Sequence, residues 1–301
     1  MKIINFGSLN IDNVYNVQEF VKPGQTIFAD SFQIAAGGKG LNQSIAAARA
    51  GAHVIHAGCI GPNGLFLTDL MQQAHVDISQ VLTLDAPTGH TVIEVNASGQ
   101  NRIIVHGGTN QMLTEDYLDT VLAQADAGDL VLLQNETNLI AAILYKSHEK
   151  GMKIAFNPSP MPQDPSSLPL HLVDYFMVNE LEAAQLADMQ ADAPYEAILD
   201  RLAEKYPQAS IIMTLGHNGV LFSQQKVRLS HPIFPVEAVD TTAAGDTFCG
   251  YFLAALCRNA SINTALREAS AASAIAVSRP NAAPSIPLYE EVEAFQRSAV
   301  L

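Results

Sequence analysis

The feature that most constrains this chain is an alternation of short apolar runs with longer amphipathic stretches. From the start it reads KIINFG, LNQSIAAARAGA, HVIHAGCIG and GLFLTDLMQQAHV. It resumes with DLVLLQNE, LIAAILYKSHEKG, KIAFNPSP, YFMVNE, LEAAQLADM, YEAILDRLAEKYP and SIIMTLG. Apolar runs of strand length followed by stretches of helical period are the pattern of strand, crossover helix and parallel strand. The expected fold is α/β, a doubly wound and mostly parallel sheet, with ligands bound beyond the carboxyl ends of its strands. With 301 residues, 48% of them hydrophobic, one large core is within reach, and a single domain over 1–301 is expected.

Two segments break the alternation. Residues 13–36 hold extended, β-branched and aromatic patches without a helical period, and residues 89–106 read as a hairpin, TVIEV and NRIIV joined across Asn96 to Asn101. Both are expected to form one small β-sheet laid over the site as a lid, whose exposed face could pair with a second copy to make a homodimer.

The net charge of −14 argues against holding nucleic acid or an anionic membrane by bulk electrostatics, so a phosphate ligand must be gripped by local donors. Cys59, Cys249 and Cys257 lack metal-ligand spacing and sit among apolar or small residues, which predicts buried free thiols and a reducing, cytoplasmic setting. MKIINFGSLNID reads as a strand entering a polar turn, not as a secretory leader, and no apolar run reaches membrane-spanning length.

The chemistry concentrates in DTTAAGDTFCGYFLAALC, Asp240 to Cys257. A helix start exposes N–H groups that no internal carbonyl satisfies, and with the helix dipole they make an anion site. Ala243, Ala244 and Gly245 would let a phosphoryl group approach the backbone, and Asp246 stands where it could take a proton from an incoming hydroxyl. The pattern suggests phosphoryl transfer to an alcohol, although a glycine and an aspartate ahead of an apolar helix also serve as ordinary capping.

AAGGKGLNQS, Ala35 to Ser44, combines close backbone approach with a mobile cation, Lys39, and is not a Walker A loop. Asn10 and Asp12, in SLNID at the end of the first strand, and Glu136, after LVLLQ, place polar groups where α/β folds bind ligands; together they suggest a polyol pocket, and singly they are common turn residues. VNELE, Asn179 to Glu182, could orient a hydrated magnesium ion. TLGHNG, Thr214 to Gly219, could admit a nucleotide or simply turn into a hairpin.

As a set, these residues resemble the ribokinase branch of the PfkB sugar kinase family, from the first strand to about Ser285, with GGKGLNQ and DTTAAGD as the specific signals. The resemblance implies an ATP-dependent kinase acting on the primary hydroxyl of ribose or, alternatively, of fructose, a nucleoside or another polyol. It implies that Asn10, Asp12, Gly38, Lys39, Asn42 and Glu136 hold the sugar, that Asp246 is the general base, and that the backbone of Ala243 to Gly245 is the anion hole. It further implies an ATP site lined by Asn179, Thr214, Gly216, Gly219 and Ser270, with Glu182 ordering Mg2+ through water. A K+ activator would be held by Asp240, Thr242, Ala276, Arg279, Asn281 and Ser285. The chain departs from the family pattern at Asn281, usually glycine, at Ser270, often histidine or asparagine, in CIGPNG, usually an acidic turn, and before Asn179, usually proline.

Overall fold

In the computed structural model, which describes residues 1–298, the chain builds two sheets. Its strands are β1 (Ile3–Phe6), β2 (Asn10–Val17), β3 (Ser31–Gly37), β4 (Val54–Ile60), β5 (Asp77–Thr83), β6 (Gly89–Asn96), β7 (Asn101–His106), β8 (Leu130–Gln134), β9 (Lys153–Asn157), β10 (Tyr175–Asn179), β11 (Ser210–Thr214), β12 (Val220–Gln224) and β13 (Val227–His231). The helices are α1 (Lys39–Arg49), α2 (Leu65–Gln73), α3 (Glu115–Leu122), α4 (Ile140–Glu149), α5 (Glu180–Leu186), α6 (Tyr195–Lys205), α7 (Ala244–Cys257), α8 (Ile262–Val277) and α9 (Tyr289–Ser298).

The large sheet has nine strands in the order β13-β12-β11-β10-β9-β8-β1-β4-β5, parallel from β5 through β11 and closed at one edge by antiparallel β12 and β13. Its inner strands are buried on both faces, which is why they read as unbroken apolar runs. Alternate residues then enter opposite cores. Ile3, Leu130 and Leu132 pack with α1, α2, α7, α8 and α9, while Ile4, Val131 and Leu133 pack with α3, α4, α5 and α6. The expected doubly wound α/β sandwich is therefore present. No helix among the described residues is long and apolar enough to cross a membrane.

The second sheet, in the order β3-β2-β6-β7, draws its strands from residues 10–37 and 89–106. One expectation is corrected here: Asn10 and Asp12 open β2 in this second sheet instead of ending the first strand. The break comes at Gly7, where a Cβ would stand 2.6 Å from Gly40 Cα, so the close pass of α1 ends β1 and turns the chain away. Cys59 and Cys249 are buried as expected, but Cys257, the last residue of α7, is only half-buried, because the helix is leaving its packing partners there.

Candidate active site

α7 is almost wholly buried from Asp246 to Ala255 and passes α1 so closely that a Cβ on Gly250 would stand 2.6 Å from Ala47 N. Its start is unusual. Ala243, the N-cap, holds φ 59° and offers no side-chain cap, a left-handed conformation that costs a non-glycine residue roughly 1–3 kcal/mol. Ala244 N–H donates to Thr241 O at 3.3 Å, whereas the N–H groups of Gly245 and Asp246 find no partner among the described residues. A Cβ on Gly245 would meet nothing within 4 Å, so packing does not demand glycine there and the space before it is open.

Asp246 is 8% exposed, and both of its oxygens are engaged. Asn42 Nδ2 donates to Oδ2 at 3.0 Å and Gln43 Nε2 to Oδ1 at 2.9 Å. These donors come from α1, whose own N-cap, Gly38, holds φ 97°. A Cβ on Gly40 would stand 2.3 Å from Ser8 N, so the glycines of GGKG let this helix start press against the β1–β2 turn. Asn42 Oδ1 is buried and unpartnered, an acceptor aimed at nothing the protein supplies.

Of the other polar groups expected around a sugar, Lys39 and Glu136 gather beside Asp246, while Asn10 and Asp12 lie on the second sheet against Gly38 and Gly37. Lys39 N donates to Glu136 Oε2 at 3.1 Å, and Ser8 Oγ donates to the same oxygen. The negative charge of Asp246, more than that of Glu136 or Glu182, holds the Lys39 ammonium above its ordinary pKa in spite of burial. Burial raises the Glu136 carboxyl, against the bonds from Ser8 and Lys39, and burial also raises Asp12, against a 2.7 Å bond from Thr91 Oγ1. Asp12 packs over Gly37, where a Cβ would fall 2.0 Å from Asp12 Oδ2. Asn10 is fixed by Asn110, whose Nδ2 donates to Asn10 Oδ1 at 2.8 Å.

Two adjoining clefts meet at the start of α7. One, of about 230 Å³, is lined by Lys39, Asn179, Glu182, Thr214, Gly245 and Asp246 among others. The second, of about 360 Å³, is largely apolar and is lined by Thr214, Gly216, Gly219, Phe234, Ser270 and Val277 among others. Every residue expected at a nucleotide thus lies on one cleft or the other. Asn179 and Glu182 also form a capping box for α5: Glu182 N donates to Asn179 Oδ1 at 2.8 Å, and Asn179 N donates to Glu182 Oε2 at 3.0 Å. The other Glu182 oxygen has no hydrogen-bond partner among the described residues. Among the described residues no group of three or more His, Cys, Asp or Glu side chains gathers as a metal cage.

The loop expected to hold K+ is organised by Asp240. Its Oδ1 accepts from Thr242 N and Thr242 Oγ1, and its Oδ2 accepts from Asn281 N at 3.0 Å. Burial opposes ionisation, but these bonds outweigh it and hold the carboxyl below its ordinary pKa. Asn281 has φ 68°, so its replacement of the usual glycine is accommodated: asparagine is among the few residues that tolerate the left-handed region. Ala276 O accepts from Arg279 N at 3.1 Å, and the Arg279 side chain pairs with Glu291. Ser285 is buried one short helix later, its hydroxyl donating to Ala282 O.

Ser8, Gln43, Asn110, Gln134 and Asn157 were not singled out from the sequence, yet all support the site. The available signal was that apolar strands end in amides: LVLLQ at Gln134 and KIAFN at Asn157.

Comparison with known proteins agrees with this geometry. The family described as pfkB family carbohydrate kinase matches residues 1–288. The ribokinase of Haemophilus influenzae is 37% identical over 97% of each chain. Among solved structures, ribokinase from Cryptococcus neoformans in complex with ADP superposes with a TM-score of 0.84 at 31% identity, covering 97% of this chain and 99% of that one. Arabidopsis thaliana ribokinase complexed with ribose and ATP superposes with a TM-score of 0.87 at 28% identity, covering 98% of each. From its sequence, its double-wound fold and the residues gathered around Asp246, the chain belongs to the pfkB family of carbohydrate kinases.

Proposed function

We propose that this protein transfers the γ-phosphoryl group of ATP to the primary hydroxyl of ribose, giving ribose 5-phosphate and ADP. One observation carries the proposal: a buried carboxylate, Asp246, adjoins two unspent backbone N–H groups, with sugar-type ligands on one side and a nucleotide-sized apolar cleft on the other. Asn10, Asp12, Gly38, Lys39, Asn42 and Glu136 hold the sugar, and the unpartnered Asn42 Oδ1 accepts from one of its hydroxyls. Asp246 takes the proton of the primary hydroxyl as that oxygen attacks phosphorus in line. The N–H groups at the start of α7 and the Lys39 ammonium stabilise the equatorial oxygens.

ATP occupies both clefts, its base against Gly216, Gly219 and Ser270 and its phosphates toward Asn179, Thr214 and Gly245. Mg2+, when bound beside Glu182 through water, neutralises phosphate charge. K+ held around Asp240 and Asn281 would steady the loop that leads into Ala243. The small sheet acts as a lid, excluding water that would otherwise compete as acceptor. Its register puts Phe32, Ile34, Val92 and Ile104 on the face away from Asp12, and all four are exposed, Ile104 by 70%. A second copy covering that apolar face gives a homodimer. Work on free ribose and ATP suits a cytoplasmic enzyme.

The test is an ADP-release assay on purified protein with ribose, fructose and adenosine as acceptors. Ribose is expected to be preferred, and Asp246→Asn to lower kcat on the order of a hundred- to ten-thousandfold. A folded Asp246→Asn protein with near wild-type turnover would overturn the mechanism; equal turnover of all three acceptors would overturn the substrate.

A further inference from the structure

Beneath Asp246 lies a cluster of side-chain amides that touches neither cleft wall except through Asn157. Its centre is Gln43, which is wholly buried. Gln43 Nε2 donates to Asp246 Oδ1 at 2.9 Å and to Asn157 Oδ1 at 3.0 Å. Gln43 Oε1 accepts from Gln134 Nε2 at 2.6 Å and from the Cys249 thiol at 3.6 Å. Both hydrogens of the amide nitrogen are thereby used.

We propose that Gln43 is a positioning residue for Asp246, and that two backbone carbonyls dictate which end of its amide faces the carboxylate. The inference rests on the assignment of Asp246 as the base and extends it. An amide can in principle present either its oxygen or its nitrogen, and only its partners decide. A backbone carbonyl has no such freedom, because it can only accept.

The first anchor is Gly40 O, within GGKG itself. It accepts from Asn5 Nδ2 at 2.8 Å, so Asn5 Oδ1 faces the other way and accepts from Gln134 Nε2 at 3.1 Å. Gln134 must then also present nitrogen to Gln43, which answers with oxygen and turns its nitrogen to Asp246. The second anchor is Met177 O, which accepts from Asn157 Nδ2 at 2.7 Å, leaving Asn157 Oδ1 toward Gln43 and again requiring nitrogen there. Two independent chains, through β1 and β8 and through β9 and β10, impose the same orientation.

The consequence is mechanical. With Asn42 on Oδ2 and Gln43 on Oδ1, the carboxylate cannot rotate about its Cβ–Cγ bond without losing a buried bond. Its remaining lone pairs are held toward the hydroxyl that gives up its proton. The other titratable groups facing Asp246 are Lys39 from α1, Glu136 from the turn after β8 and Cys249 on α7 itself. None of them restricts the carboxylate in this way, since none bonds to it.

The experiment measures steady-state kinetics with ribose and ATP across about pH 5 to 9 for wild type, Gln43→Leu, Gln134→Met, Gln134→Met combined with Asn157→Leu, and Asp246→Asn. Gln43→Leu is expected to lower kcat about 10- to 100-fold while ribose KM changes less than about threefold. The acidic limb of its kcat profile should move to higher pH, because the carboxylate loses a donor. Gln134→Met removes one of the two anchors and leaves that through Asn157, whereas Gln134→Met combined with Asn157→Leu removes both and frees the Gln43 amide to turn over; the double variant should shift the same limb in the same direction.

A role confined to packing would lower thermal stability and leave the limb in place. A folded Gln43→Leu protein with an unmoved limb overturns the inference. If Gln43→Leu does not fold, an unmoved limb in the Gln134→Met, Asn157→Leu double variant, which lacks both anchors, overturns it instead. Should Asp246→Asn keep the wild-type rate, the base assignment fails and this inference with it; an inactive Asp246→Asn beside an unmoved limb defeats the positioning role alone.

Discussion

α7 and α8 lie side by side in the same core, yet they begin in opposite ways. At the start of α8 the Ser261 hydroxyl accepts from Thr264 N, spending an N–H that the helix cannot satisfy internally. At the start of α7 no side chain caps the helix, Ala243 is held in a left-handed conformation, and two N–H groups face open space. The first arrangement serves stability. The second sacrifices stability and keeps donors free, and it occurs where the two clefts meet. The donors a fold leaves unspent show where a ligand's charge belongs.

The largest expected effect comes from closing the open space. Gly245→Ala should lower kcat on the order of a hundredfold by occupying the approach to the N–H groups. The same change should leave stability unchanged or raise it by up to about 1 kcal/mol, because the added methyl meets no protein atom and glycine is a poor helix former. ADP release and a urea melt on one preparation check both halves. A variant that keeps its rate breaks the contrast between the helix starts.

The next effect concerns α1, which also starts without a side-chain cap and is held from beneath. Asn5 Nδ2 donates to Gly40 O and to Ser44 Oγ, and Ser44 Oγ bonds His56 Nδ1 at 2.8 Å. Burial, only partly offset by the bond to Gly7 O, pushes His56 down from 6.5 to about 4. The folded state therefore resists a proton that the unfolded chain takes up below its ordinary pKa. Stability is intact above pH 6.5 and erodes as pH falls toward 4. Between about pH 7 and 5 this one group should cost on the order of 2 kcal/mol, and His56→Gln should flatten that part of the pH dependence in urea melts. Equal slopes for the two proteins would remove His56 from the support of α1.

The smallest effect sharpens the comparison from the other side. Ser261→Ala should cost about 1 kcal/mol of stability and leave kcat and both KM values unchanged. A change in rate would show that the start of α8 is not the purely structural member of the pair.

Much of the architecture was legible because it is local. Continuous apolar strands and helical-period stretches announced a parallel sheet covered on both faces, since burial on two sides removes polar residues from the strand itself. GGKG and DTTAAGD were legible because a glycine-rich helix start carries its own backbone consequences. The placement of Asn10 and Asp12 at the end of the first strand failed for a nonlocal reason: β1 ends at Gly7 because Gly40, on another element, presses against it. Gln43 stood inside a recognised motif and still gave no sign of its role, because its partners Asp246, Gln134 and Asn157 come from remote parts of the chain.

The order of residues alone thus determined the fold class, the two glycine-rich helix starts at α1 and α7, and the acidic group of α7 that lies between them. All of these follow from periodicities and backbone freedoms that act over a few neighbours. Tertiary structure alone decided which strand carries Asn10 and Asp12, how the clefts join at Gly245, and which way the Gln43 amide faces. Those outcomes depend on long-range contacts, in which one buried carbonyl can dictate the orientation of a side chain several hydrogen bonds away.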